Sequence, residues 1–185
     1  MVADLKFNGR KGLVLDVGCG GKPRGDVNVD LYPDGYHYIK VDKQKTRNFV
    51  KADGQKLPFK NGCFTVVVSS HLLEHMEHPL TVLQEWSRVA SAKVVVTVPC
   101  LTEGRNVAGD SRAHLYTWSA VSLRNLMRKV FCEVEVKQNS KCLSLLRKGV
   151  LPSTFNFVLS NLLGHLSVFQ NPELTAVGKK EVKRC

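Results

Sequence analysis

The sequence lacks the features that mark membrane-spanning and secreted proteins. It has no uncharged apolar run near the roughly 18 residues that a membrane span needs, and its polar amino terminus shows no apolar stretch followed by a cleavage site. The six cysteines form no CxxC pair, and most lie inside apolar runs, where cysteine serves as a small hydrophobic residue. We therefore expect a soluble cytoplasmic protein with reduced cysteines.

Repeats, low-complexity tracts and linkers rich in Pro, Gly and Ser are missing as well. The chain has 185 residues, of which 43% are hydrophobic, and this is enough for the core of one domain but not of two. We expect a single domain over residues 1–170. The basic segment 171–185 is expected to be a flexible tail.

Acidic residues are scarce relative to basic ones, with 16 Asp and Glu against 27 Lys and Arg, so that the formal net charge is +11. A positive field of this size attracts polyanions such as RNA or DNA. The same charges also suit an ordinary solvated surface. Nucleic acid is therefore one of two open interpretations of the charge.

Short Val-rich runs alternate with helical patterns along the chain. The runs are nearly continuous in apolar residues, which is typical of strands buried on both faces. Predicted strands cover residues 13–17, 27–29, 49–52, 64–69, 94–98, 131–136 and 142–146. Helices are predicted at 79–90, with Pro79 in the first turn, at 118–130, with Thr117 as N-cap, and at 153–166. The alternation predicts an α/β fold around a mostly parallel sheet.

The first predicted strand ends in a glycine-rich loop, at the sheet edge where open parallel sheets bind their ligands. The dinucleotide fingerprint fails here, because Pro23 stands where its third glycine would be. A phosphate-binding P-loop fails too, because Lys22 is followed by Pro23 and not by Ser or Thr. Asp16, two residues before Gly18, would repel phosphates but suits a ligand that carries a sulfonium and an ammonium group.

The segment VLDVGCG resembles the first motif of class I S-adenosylmethionine-dependent methyltransferases. Residues 51–79, KADGQKLPFKNGCFTVVVSSHLLEHMEHP, resemble the third-to-fourth-strand segment of the small methyltransferase-domain-11 type. The likeness covers about half of the chain, residues 12–99. It implies a Rossmann-like, seven-stranded, mostly parallel sheet flanked by helices. It also implies transfer of a methyl group from S-adenosylmethionine, with S-adenosylhomocysteine as the product.

The resemblance also implies a set of cofactor-binding residues: Asp16, Gly18, Cys19, Gly20, Asp30, Asp53, Gly54, His71 and Leu72. The first four would hold the methionine end, where glycines let the backbone approach the ligand closely. Asp30 would accept hydrogen bonds from the ribose hydroxyls. Asp53 would accept one from the adenine amino group, and His71 and Leu72 would flank the adenine or the methyl group.

One spacing departs from the pattern of related nucleotide sites. Asp16 and Asp30 are 14 residues apart, against the roughly 20 expected, and residues 21–25 contain helix breakers. We therefore expect the first helix to be reduced to a turn or lost. Asp42, after the apolar stretch 38–41, is the alternative ribose acid.

Residues 71–75 match the H-x-x-E-H pattern of zinc proteases, in which two histidines on one helix hold the metal. His71 directly follows a predicted strand, so the pattern lacks its helix, and no metal is expected. Cys100 follows Pro99 as in cytosine-5 methylation, but the companion motif is missing. The (N/D)PPY motif that holds a flipped base is missing from the fourth strand too, which disfavours but does not exclude a nucleic-acid acceptor.

Histidine is the side chain best suited to accept a proton near neutral pH, so His71 and His114 are the catalytic candidates. A capping or packing role for His114 at the start of the next helix is the competing interpretation. The chain as a whole is expected to methylate an acceptor that the sequence does not identify, with RNA or protein favoured over a small metabolite. The alternative is a non-catalytic S-adenosylmethionine-binding scaffold or partner subunit of the same fold.

Overall fold

The computed structural model describes residues 6–7, 10–32, 46–100, 114–139 and 173–180. The strands in these ranges are β1 (Lys6–Phe7), β2 (Arg10–Lys11), β3 (Val14–Val17), β4 (Val27–Asp30), β5 (Phe49–Lys51), β6 (Phe64–Ser70), β7 (Ala90–Pro99), β8 (Glu133–Asn139) and β9 (Glu173–Lys179). The helices are α1 (Pro79–Val89) and α2 (Ala120–Met127), and a 3₁₀-helical turn covers Leu73–His75.

Seven of the described strands form one sheet in the order β5-β4-β3-β6-β7-β9-β8. Strands β5, β4, β3, β6 and β7 pair in parallel, whereas β9 is antiparallel to both of its neighbours. The seven-stranded, mostly parallel sheet predicted from the sequence is therefore confirmed. A separate two-stranded ladder joins β1 and β2.

The central strands are buried on both faces, which explains their continuous apolar sequence. All four residues of β3 are buried, and β6 is buried at five of its seven positions. Both strands lie within one residue of their predicted bounds. β7 begins four residues earlier than predicted, because half-buried and exposed positions around Lys93 hide its first part from an apolar pattern.

Helix α1 covers one face of the sheet and ends within one residue of the predicted bound. Pro79 stands in its first turn, where the missing N–H costs nothing. Leu83, Trp86 and Val89 are fully buried on one side of the helix. Trp86 also donates a hydrogen bond from Nε1 to the Gly54 carbonyl (2.9 Å), so the helix holds the loop that follows β5.

Helix α2 is shorter than predicted, and Thr117 is not its N-cap. Ser119 caps the helix instead, since its hydroxyl accepts from the Ser122 N–H and the Ser122 hydroxyl accepts from the Ser119 N–H. Trp118 forms an isolated parallel bridge with Cys100. That pairing keeps the chain extended past Thr117, so the helix starts at Ala120.

The prediction of a flexible tail over residues 171–185 is wrong for Glu173–Lys179, which form β9 between β7 and β8. Leu174, Ala176 and Gly178 are buried in alternation, and small residues at two of these positions weaken the apolar signal. The sheet therefore extends past the predicted domain end at residue 170. The predicted strand 142–146 and the predicted helix 153–166 lie outside the described residues.

Within the described part of the chain, no helix has the length and apolar content that a membrane span requires.

Replacing Leu174 by alanine tests the position of β9. Leu174 is fully buried, so Leu174→Ala should lower the free energy of unfolding by about 2–5 kcal/mol, measured by urea denaturation. Lys179→Ala, at an exposed position of the same strand, is the matched control and should leave stability almost unchanged. Equal stability of the Leu174 variant and the wild type would mean that this segment does not pack in the sheet.

Candidate functional site

An open cleft of about 1130 Å³ lies at the carboxyl ends of the parallel strands, where this kind of sheet binds ligands. The loops after β3, β4, β5 and β6 form its walls. The cleft brings together all the residues that the sequence predicts for cofactor binding: Asp16, Gly18, Cys19, Gly20, Asp30, Asp53, Gly54, His71 and Leu72.

The loop after β3 is attached directly to β4. The N–H groups of Gly18 and Cys19 both donate to the Val29 carbonyl, at 2.8 and 3.0 Å. Gly18 has a φ of +69°, and a Cβ there would lie 2.8 Å from the Leu72 side chain, so glycine is required. Residues 18–26 contain no helix, which confirms the predicted reduction of the first helix.

Asp30 ends β4 and organises the same loop. Its Oδ2 accepts a hydrogen bond from the Gly20 N–H and its Oδ1 accepts one from the Tyr32 N–H, both at 2.9 Å. A carboxylate oxygen can accept a second hydrogen bond, so Asp30 keeps acceptor capacity toward the cleft that it lines. The alternative acid, Asp42, lies outside the described residues.

Asp16 lies at the base of the cleft and is only 3% exposed. Its Oδ2 accepts a hydrogen bond of 2.8 Å from the Arg24 N–H. Burial outweighs this bond and raises the pKa of Asp16 to about 6, with the nearby Asp30 charge adding a smaller increase. The cleft therefore holds a carboxylate that lacks full solvation and favours a cationic ligand group.

Asp53 and Gly54 lie in a turn that closes the cleft on the β5 side. The Asp53 side chain accepts a hydrogen bond from the Gln55 N–H (2.8 Å), and its carbonyl accepts one from the Lys56 N–H (3.1 Å). The Gly54 carbonyl is held by Trp86. The turn is thus fixed by its own backbone and by α1.

The remainder of this loop is fixed by residues that no sequence pattern indicated. Arg88 of α1 donates to the carbonyls of Phe59 (2.8 Å) and Leu57 (3.1 Å) and pairs with Glu85 at 2.7 Å. Glu85 in turn accepts a hydrogen bond from the Leu57 N–H. These contacts join positions about 30 residues apart, so no local pattern could reveal them.

His71 lies in the cleft with a left-handed backbone conformation, at a φ of +53°. Its Nε2 is 3.1 Å from Oε1 of Glu173, and its Nδ1 is 3.4 Å from Oε1 of Glu74. Interaction with Glu74 is the main cause that raises the pKa of His71, and Glu173 adds to it. Glu173 belongs to β9, and its contribution was missed because the segment was predicted to be a tail.

His114 is not among the lining residues, but its ring packs edge-on against His75, which does line the cleft; the ring centroids are 4.7 Å apart. The adjacent N–H groups of Leu115 and Tyr116 donate to the Glu74 carbonyl at 2.9 and 3.1 Å. The segment that begins at His114 is therefore attached to the turn after β6.

Two buried cysteines, Cys19 in the cleft and Cys100 after β7, lack the character of nucleophiles. Burial raises the pKa of Cys19 to about 12 and also raises that of Cys100. Since the thiolate is the reactive form, both side chains serve as small hydrophobic groups in this environment.

The chain resembles known proteins in sequence over one domain model and in fold. The family model for the methyltransferase domain matches residues 15–96. No curated protein sequence matches the chain significantly.

Solved structures share the fold at low identity. An S-adenosylmethionine-dependent methyltransferase from Archaeoglobus fulgidus is 18% identical, with a TM-score of 0.62, and 90% of this chain and 85% of that chain are covered. A methyltransferase in complex with the Trm112 methyltransferase activator from Haloferax volcanii is 19% identical, with a TM-score of 0.60 and coverage of 91% and 82%. The phosphoethanolamine N-methyltransferase 2 of Haemonchus contortus, in complex with phosphomonomethylethanolamine and S-adenosylhomocysteine, is 16% identical, with a TM-score of 0.57 and coverage of 91% and 48%.

The domain match covers the strands that build the cleft, from β3 into β7. Outside that match, the sheet is completed by β9 and β8, and within it β3 connects to β4 without a helix. Residues 15–96 thus match the methyltransferase-domain family model, and the fold is the one seen in solved S-adenosylmethionine-dependent methyltransferases.

Proposed function

We propose that the cleft binds S-adenosylmethionine and that the protein transfers its methyl group to an acceptor. The observation that carries this proposal is the pair of acids on the glycine loop, with Asp16 buried at its base and Asp30 bonded to Gly20. Cationic, hydroxyl-bearing ligands satisfy both carboxylates at once. A phosphate group at this loop would meet two negative charges and no P-loop lysine arrangement.

The residues present fit the parts of this cofactor. Asp16 would attract the ammonium group of the methionine end, while the Gly18–Gly20 backbone allows close approach. Asp30 would accept from the ribose hydroxyls, since each of its oxygens holds only one hydrogen bond among those observed. Asp53, beside Gly54, would accept from the adenine amino group.

The cofactor supplies an electrophilic methyl group on a sulfonium, so the protein's main task is to position and align the acceptor. We place His71, Leu72 and His114 on the acceptor side. Both ring nitrogens of His71 face carboxylates, so this residue is suited to orientation and to holding positive charge. His114 does not line the cleft itself but is half-buried beside the cleft residue His75, and it is the second candidate on the acceptor side.

Removing the Asp30 carboxylate tests the cofactor site. Asp30→Ala should weaken S-adenosylhomocysteine binding at least about tenfold, because hydrogen bonds to a charged group contribute about 1.5–3 kcal/mol, as measured by isothermal titration calorimetry. Glu135→Ala, at an exposed position of β8, should bind like the wild type. Equal affinity of the Asp30 variant would show that the site is misplaced, and no saturable binding to the wild type would refute the proposal.

The pKa of Asp16 predicts a conflict between stability and binding. Because its pKa is raised from 3.8 to about 6, its contribution to stability is fully present below the unfolded pKa and is lost as the pH rises through about 6. At pH 8, the free energy of unfolding of Asp16→Asn should therefore exceed that of the wild type by up to about 3 kcal/mol. This difference should disappear below about pH 4.

The same Asp16 variant should bind S-adenosylmethionine more weakly at pH 8, and the wild type alone should lose affinity as the pH falls through about 6. Urea denaturation and calorimetry at several pH values measure both effects. A variant that is less stable than the wild type at pH 8, or that binds equally well, would contradict the assigned role of Asp16.

The net charge of +11 favours a large anionic acceptor over a small metabolite. Cellular RNA, protein extract and small-molecule fractions exposed to methyl-labelled cofactor should give label in RNA or protein, and the Asp30→Ala protein should give at least about tenfold less at low cofactor concentration. Label only among metabolites would overturn this preference. Label that appears only after a second protein is added would identify the chain as one subunit of the active enzyme.

A further inference from the structure

Three potential metal ligands meet where the turn Leu73–His75 contacts the segment that begins at His114. One ligand atom each from Glu74, His75 and His114 lies within 4.8 Å of the others. Glu74 is fully buried and the two histidines are half-buried. The cluster thus combines one carboxylate and two imidazoles in a sheltered position.

The Glu74 carboxylate gives independent evidence that a cation belongs here. It is 0% exposed, and neither of its oxygens has a hydrogen-bond partner among the described residues. His71 Nδ1 lies 3.4 Å from Oε1, so this ion pair engages one oxygen at long distance, and Oε2 has no hydrogen-bond partner among the described residues. Buried charged groups are found paired or bound to metals, because an unpaired one is strongly unfavourable.

Backbone hydrogen bonds hold the two halves of the cluster together. The Glu74 carbonyl accepts from the N–H groups of Leu115 and Tyr116. The Tyr116 hydroxyl donates to the Glu77 carbonyl at 2.9 Å. His114 is therefore kept next to the turn that carries Glu74 and His75, although they are about 40 residues apart in sequence.

We propose that Glu74, His75 and His114 bind one divalent first-row transition metal ion. Imidazole and carboxylate together suit Zn²⁺, Mn²⁺ or Co²⁺, and three protein ligands leave positions open for an exogenous ligand. Ligand atoms about 2.1 Å from a tetrahedral ion are roughly 3.4 Å apart. The three atoms lie within 4.8 Å of one another, so they must approach one another by up to about 1.4 Å. Rotation of the half-buried imidazoles provides this movement.

This set differs from the zinc-protease pattern that residues 71–75 match in sequence. That pattern would use His71 and His75 on one helix, whereas His71 here follows β6 and turns its Nε2 to Glu173. The second imidazole comes instead from His114. No metal was expected because His71 and His75 do not share a helix. A site in which His114 supplies the second imidazole does not need that helix.

The position of the ion identifies a class of acceptor, if the proposed methyl transfer is correct. His75 lines the same cleft as Asp16 and Asp53, so an ion held by His75 would lie at the wall of this cleft, within reach of an acceptor bound there. An ion at this position would coordinate a hydroxyl oxygen of the acceptor and lower its pKa, and the hydroxyl proton would leave to water. The acceptor class is therefore a hydroxyl-bearing molecule.

Metal binding is measured on the full chain without an affinity tag, after treatment with EDTA and its removal. Titration with Zn²⁺ or Mn²⁺ should show one equivalent bound by calorimetry and should raise the melting temperature. Co²⁺ should give visible absorption bands of nitrogen and oxygen coordination. Mg²⁺, which prefers oxygen ligands, should compete poorly.

Variants assign the binding to this cluster. His114→Asn should lower the affinity for Zn²⁺ by more than about 100-fold, since even indirect partners of metal ligands contribute 10–100-fold. Glu74→Gln should do the same, and circular dichroism confirms that each variant is folded. The matched control is His78→Asn, an exposed histidine of the same loop outside the cluster, which should bind metal like the wild type.

Absence of a bound equivalent, or affinity unchanged by His114→Asn in the folded protein, would overturn the metal site. In that case Glu74 is the counter-ion of a protonated His71. S-adenosylhomocysteine binding to the metal-free protein tests the proposed function separately, because the cofactor residues do not belong to the cluster. Methyl label on nitrogen or carbon of the acceptor would overturn the hydroxyl class while the metal site remains.

Discussion

The cleft depends on the hydrogen bonds that Gly18 and Cys19 donate to the Val29 carbonyl. In related nucleotide sites a helix follows the glycine loop, and its N-terminus holds the loop in place. Here the chain returns to the sheet without a helix, so the backbone of β4 provides the attachment. The short connection brings Asp30 onto Gly20 and leaves Asp16 buried beneath the loop. The short connection that replaces the first helix therefore also brings Asp16 and Asp30 to the same loop.

Strand β9 links the stability of the sheet to the site. It lies between β7 and β8 and pairs with both. Its first residue, Glu173, contacts His71. The turn after β6 thus receives one constraint from the sheet through β9 and another from the segment at His114 through the Glu74 carbonyl. His71 holds a left-handed conformation between them. Such conformations persist only where the surrounding structure enforces them, and they cluster at functional sites.

The charges of the molecule act at two length scales. The chain as a whole is strongly positive, while the cleft is lined by Asp16, Asp30 and Asp53. The overall field concentrates polyanions near the surface, whereas the local acids select cationic and hydroxyl groups at close range. Desolvation of Asp16 is unfavourable for the free protein, and a bound cation relieves it. In the proposed function, Asp16 is thus a residue that favours binding at the expense of stability, as is common for active sites.

The sequence by itself determined the central strands, the glycine loop and the acids that face the cleft, because each rests on contiguous residues with a strong local preference. Valine runs form buried strands, and glycine permits the positive φ of the loop. Only the tertiary structure decided the place of β9, the cap of α2 and the surroundings of Glu74. β9 carries small residues at buried positions, so its membership in the sheet comes from pairing with β7 and β8. The cap moves to Ser119 because a bridge to Cys100 holds Trp118 extended. Glu74, His75 and His114 meet through hydrogen bonds between distant segments. Contacts of this kind depend on which distant segments meet in the folded protein, and the spacing of residues along the sequence does not show this.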